Sequence, residues 1–145
     1  MSPLLNYTTT VSVSRTVGQV HELLVKAGAR QIMSDYAEGG VPTGVMFALH
    51  TMDGVRAFKL PVHTDRVMKV MRQDRATPPR YKNPEQAERV AWRILKDWLE
   101  AQLAIVQTEM VSFDEVMLPY MRAVDGRTMY EMYLEGQLPA LASGE

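Results

Sequence analysis

The chain of 145 residues contains no cysteine. Disulfides, thiolate metal sites and a cysteine nucleophile are therefore excluded, and the absence fits a reducing compartment. No apolar run approaches the roughly 18 residues that a membrane helix needs. The opening Met1-Ser2-Pro3-Leu4-Leu5 lacks the basic and apolar regions of a secretory leader. These absences point to a protein of the cytoplasm that has no membrane partner. Motifs for chemistry are also scarce. There is no G-x-S-x-G and no Ser-x-x-Lys in a suitable context. Gly39, Gly40 and Gly44 match neither the dinucleotide fingerprint nor the phosphate-binding loop. The three histidines, His21, His50 and His63, fall on a predicted helix, a predicted strand and a junction, and none is spaced from another as a metal ligand would be. The carboxylate pairs Asp97/Glu100 and Asp114/Glu115 read as salt-bridge and helix-start residues. The expectation is a protein without cofactor or metal, and not an enzyme.

Charge of one sign does not dominate, since the formal net charge is −1. Its distribution is uneven. Residues 63–82 carry six basic groups, Arg66, Lys69, Arg72, Arg75, Arg80 and Lys82, against Asp65 and Asp74, a balance of +4. Residues 109–145 carry Arg122 and Arg127 against seven acids, a balance of −5. Such asymmetry marks either a polyanion-binding surface or two solvated faces of one fold.

The length suits one domain, which would bury about 68–70% of its unfolded surface. Residues 5–13 alternate, with Leu5, Tyr7, Thr9, Val11 and Val13 on one side, and predict a first strand. Thr16, with Gln19 three residues on, predicts a capping box for a helix with Val17, Val20, Leu24 and Ala27 on its apolar face and Gly28 as its stop. A strand over 30–36, the loop at Gly39-Gly40, a strand with Val45, Phe47 and Leu49, a type I′ turn at Asp53-Gly54 and a strand over 55–60 follow. A short helix over 65–73 has Val67, Val70 and Met71 on one side. Residues 74–83, with Pro78-Pro79, read as an extended linker.

The longest signal is 83–108. Asn83 is a preferred cap, Pro84 sits where a missing N–H costs nothing, and Gln86 can bond back to the cap. Ala87, Val90, Ala91, Ile94, Trp98, Ala101 and Ile105 form its face, widened by Leu95, Leu99 and Val106. Glu85/Arg89, Arg93/Asp97 and Lys96/Glu100 are opposite charges at i,i+4. Ser112 with Glu115, and Thr128 with Glu131, are capping boxes for two short helices. The predicted fold is α+β: a four-stranded, mostly antiparallel sheet made of a strand, a helix and a three-stranded meander, followed by a long helix and short C-terminal helices. In this reading 1–73 is the α+β half, 74–83 the basic linker, 84–138 the helical half and 140–145 a frayed tail.

Two segments carry a functional signal. Arg66, Lys69, Arg72, Arg75, Arg80 and Lys82 could run along phosphates while Tyr81 stacks on a base. The competing expectation is a solvated linker whose arginines bridge to Glu131 and Glu135. The Met- and Tyr-rich C-terminal third, with Met117, Tyr120, Met121, Tyr130 and Tyr133, suits an adaptable protein-binding face, a homodimer contact or a small helical core.

The order of elements over 5–73 contains that of double-stranded-RNA-binding domains, but His63-Thr64-Asp65-Arg66-Val67 departs from the basic, alanine-rich start of their last helix. The sequence more closely resembles a family of small uncharacterised bacteriophage and mobile-element proteins. The residues that carry this likeness are Leu4-Leu5-Asn6-Tyr7-Thr8-Thr9-Thr10, Glu88-Arg89-Val90-Ala91-Trp92-Arg93, Lys96-Asp97-Trp98-Leu99-Glu100-Ala101-Gln102-Leu103 and Met117-Leu118-Pro119-Tyr120. The resemblance implies an accessory role: binding a host or defence protein, or, as the alternative, handling nucleic acid.

Overall fold

A computed structural model describes residues 3–144. Helix α1 (Val13–Lys26) leads into a meander of β1 (Gln31–Tyr36), β2 (Pro42–Thr51) and β3 (Gly54–Pro61). Helix α2 (Thr64–Gln73), a 3₁₀ turn at Pro79–Tyr81 and the 24-residue α3 (Pro84–Gln107) come next. The chain finishes with α4 (Phe113–Met117), a 3₁₀ turn at Leu118–Tyr120 and α5 (Met129–Leu134). The sheet is antiparallel, in the order β1-β2-β3. The α+β class is as the sequence predicts, with three strands among the described residues instead of four.

The missing strand is the one predicted over 5–13. Asn6 takes a positive φ of 65°, and the amides of Tyr7 and Thr9 bond back to the carbonyls of Leu4 and Asn6 as turns. Ser12, not Thr16, caps α1, its Oγ accepting from the amide of Arg15 at 3.2 Å. Alternation describes which way side chains point, but a strand also needs a neighbour for its backbone. Here Gln86 on α3 takes that place. Its Nε2 donates to the carbonyls of Tyr7 and Thr9 at 2.8 and 2.9 Å. The side chain therefore does not return to its own cap as expected, although Asn83 does cap α3 by accepting from the Gln86 amide at 2.9 Å. Asn6 Nδ2 adds a bond to Asp97 Oδ2 at 2.8 Å.

On the sheet, Val45, Phe47 and Leu49 of β2 and Phe58 and Leu60 of β3 share one face and are buried with Val17, Val20 and Leu24 of α1 and Ala91, Trp92 and Leu99 of α3. All three phenylalanines meet: Phe47 stacks on Phe58 at 5.3 Å, and Phe113 of α4 stands edge-on to both. A second cluster joins Met68 and Met71 of α2 to Ala87 and Val90 of α3. Met68 fills the place expected of Val70, which is exposed. Trp92, off the predicted face of α3, is fully buried and donates its indole N–H to the Pro42 carbonyl at 3.2 Å. Ile105, on that face, is exposed.

Other local devices differ from or match the sequence reading. Of Asp53 and Gly54 only the glycine has positive φ, and Thr51 pairs with Gly54, so the turn is not type I′. Of the three i,i+4 pairs expected on α3, Lys96–Glu100 forms at 2.8 Å. Arg93 instead reaches Gln19 at 2.5 Å, and Arg89 bonds Gln86 Oε1. Both C-terminal capping boxes are present. Residues 74–83 are folded, not extended. Asp74 accepts from the Ala76 amide and the Thr77 hydroxyl, and Thr77 is 1% exposed.

Candidate functional site

Pro61 ends β3, and Val62-His63 turns the chain into α2. Across this junction runs the middle of α3. Its residues Leu95 and Trp98 pack only in part against the core of the sheet, Ile94 packs against the Met68–Met71 cluster, and all three line one hollow. The 3₁₀ turn at Leu118–Tyr120 closes the other side, with Pro119 early in the turn. Its position is fixed by a bridge between Phe58 and Met121 and by the Arg122 amide donating to the Ala57 carbonyl at 2.8 Å. Tyr120 then meets Trp98 edge-on, with ring centroids 5.6 Å apart at 73°.

The result is a groove. One hollow of about 420 Å³ is lined by Leu60, Val62, Val67, Ile94, Leu95 and Trp98, with His63, Arg66 and Tyr120 at its side. A second, of about 530 Å³, shares Pro61, His63, Arg66 and Tyr120 with the first and adds Lys59, Tyr130, Glu131 and Leu134. The floor is apolar and the rim is cationic. Lys59 and Arg66 take part in no ion pair among the described residues. The carboxylate on the rim, Glu131, is exposed and committed to its own helix start, accepting from the Thr128 hydroxyl at 3.2 Å.

The groove gathers residues from both predicted segments. Arg66 comes from the basic one. Tyr120 and Tyr130 come from the Met/Tyr-rich one. Tyr133 stands outside, 48% exposed, its ring 6.0 Å from that of Tyr130. Met117 is fully buried and Met121 is half-buried against the core, so the first offers no surface to a partner and the second little. The remaining basic residues lie elsewhere. Lys69 and Arg72 extend from Arg66 along the exposed side of α2, and Arg75 and Arg80 are exposed on the turns that follow. Lys82 is half-buried. Its charge, after the bonds from Thr77 and the Ala76 amide, helps hold the Asp74 carboxyl below its usual range.

Tyr81 is a packing element. Its ring is edge-on to Tyr7 at 5.5 Å, the Arg80 guanidinium lies 4.8 Å above it, and it packs on the Met68–Met71 cluster. It is no open platform for a base. Nor, among the described residues, do the cations of 66–82 form ion pairs with the C-terminal acids. Glu135 pairs with Arg127, which also binds Asp125 at 2.7 Å and holds that carboxyl below its ordinary range.

Trp98, Lys59 and His63 do not stand out as site residues in the sequence. Trp98 lies on a helix face that reads as core. The one available signal is the width of that face, which exceeds what a three-stranded sheet can cover. Among the described residues no group of three or more His, Asp and Glu could hold a metal ion. No helix among them is long and apolar enough to cross a membrane. In comparisons with known proteins, no family model, curated protein or solved structure matches the chain.

Proposed function

We propose that the chain is a non-catalytic accessory protein that acts in the cytoplasm by binding another protein, through the face that carries Tyr120 and Tyr130. The observation behind this reading is the half-buried Trp98–Tyr120 pair opening into an apolar groove. Binding energy at protein interfaces concentrates on aromatic anchors in pockets, and concave apolar sites of about 300–1,000 Å³ are where ligands bury best. The resemblance to phage and mobile-element proteins supports a host or defence complex as the partner. The test is affinity capture from host cells, with and without nuclease, using the wild type and the Tyr120→Ala/Tyr130→Ala double variant. The expected result is one protein retained after nuclease and lost from the variant, whose circular dichroism matches the wild type. Retention that disappears with nuclease would contradict the proposal.

One observation favours a second reading, nucleic-acid binding. Arg66, Lys69 and Arg72 repeat at three-residue spacing on exposed helix, free of ion pairs among the described residues. In this reading they contact phosphates, and Tyr81 takes no part.

A further inference from the structure

We infer that the groove between β3, α2 and α3 accepts an acidic segment of a partner protein that carries one bulky apolar side chain. The inference rests on the protein-binding reading and adds the chemistry of the partner. Its basis is the complementary layout of floor and rim. Ile94, Leu95 and Trp98 offer an apolar slot too large for a single methyl group and roofed on one side by the Tyr120 ring. An aromatic or leucine side chain fits that slot, and edge-on contact with two rings favours an aromatic one.

The rim selects the flanks. Lys59, His63 and Arg66 stand around the mouth, and the described ion pairs leave Lys59 and Arg66 uncompensated. Glu131, the carboxylate on the rim, caps its own helix and offsets one of these two charges, so the mouth stays net positive. A basic segment would meet like charges there, while Asp or Glu on either side of the anchor would find partners. Further out, Lys69 and Arg72 prolong the positive side along α2, so acids on one flank of the anchor gain more than acids on the other.

The test is selection from a library of fully randomised peptides on the purified chain, followed by titration of the winners that contain no tryptophan, with the protein's tryptophan emission as the readout. Trp92 is fully buried, so a change in emission on binding reports Trp98. The expected winners carry Phe, Trp or Leu with Asp or Glu around it. For a Phe-anchored winner, Phe→Ala should weaken binding about ten- to a hundredfold, the equivalent of withdrawing one buried ring. Arg66→Glu, at an exposed position that the fold does not need, should weaken it about two- to fivefold and improve a lysine-flanked version of the same peptide. Enrichment of basic or neutral flanks, or winners that leave Trp98 emission unchanged, would overturn the inference. If that happens while protein capture still depends on Tyr120 and Tyr130, only the partner chemistry is wrong. If an oligonucleotide changes Trp98 emission and displaces the peptides, the protein-binding reading falls with it.

Discussion

At the scale of single residues, most of the helix-start chemistry can be read directly. Asn83, Ser112 and Thr128 are each followed three positions on by Gln or Glu, and all three cap as expected because a cap needs only its own neighbours. Gln86 shows where local reading ends. Its side chain serves two carbonyls nearly eighty residues away, and no spacing rule encodes that. Replacing it with Leu strands the carbonyls of Tyr7 and Thr9. Gln86→Leu should therefore cost about 1–3 kcal/mol, seen as a lower urea midpoint, and should expose residues 3–12 to protease. Asp74 gives a pH-dependent counterpart. Its carboxyl is held below its ordinary value of 3.8 chiefly by the Thr77 hydroxyl and the Ala76 amide. A depressed acid contributes stability that is complete above the unfolded value and is lost as pH falls through the folded one. The protection factors of the Ala76 and Thr77 amides, corrected for the intrinsic exchange rate, should fall in the wild type as pH drops below the ordinary value of 3.8, and Asp74→Asn should show the lower protection already at pH 7. Equal protection at both pH values would remove Asp74 from this role.

At the scale of elements, the meander and the long helix are legible because periodicity and punctuation agree there. The first strand is not, because a period of two cannot say whether a sheet edge is waiting. Residues 74–83 depart from expectation for a related reason. Two prolines forbid a regular helix, but they do not forbid a 3₁₀ turn packed by Tyr81 on Tyr7. Helix α2 carries the test of the nucleic-acid reading. If Arg66, Lys69 and Arg72 touch phosphates, log affinity should fall with log salt by about 0.7 per phosphate on single strands and about 0.9 on duplex. The triple change to Gln should then flatten that slope in proportion to the phosphates no longer neutralised. Tyr81→Ala should lower stability through poorer packing and leave the slope unchanged. A gel-shift titration with no retardation at low salt would leave α2 as a solvated face that steers acidic partners.

At the scale of the whole molecule, the charge asymmetry of the sequence does not close on itself. Asp125 and Glu135, which flank α5, are taken up by Arg127, while the cations of α2 stay open to solvent. The positive surface and the apolar groove meet at Arg66, and that adjacency is not legible in a sequence in which Arg66, Trp98 and Tyr130 are about thirty residues apart in turn. The two tryptophans separate core from surface and allow the protein-binding claim to be read at a single atom. Trp92 has its indole N–H bonded to Pro42 in the core, and Trp98 has its ring in the groove. The most direct measurement is a ¹⁵N–¹H spectrum of the two indole signals as the captured partner protein is added. A shift of the Trp98 signal with the Trp92 signal unmoved is the predicted result. An unmoved Trp98 signal, with shifts confined to the exposed amides of α2 or to β1, would show that the partner docks elsewhere and would contradict the account.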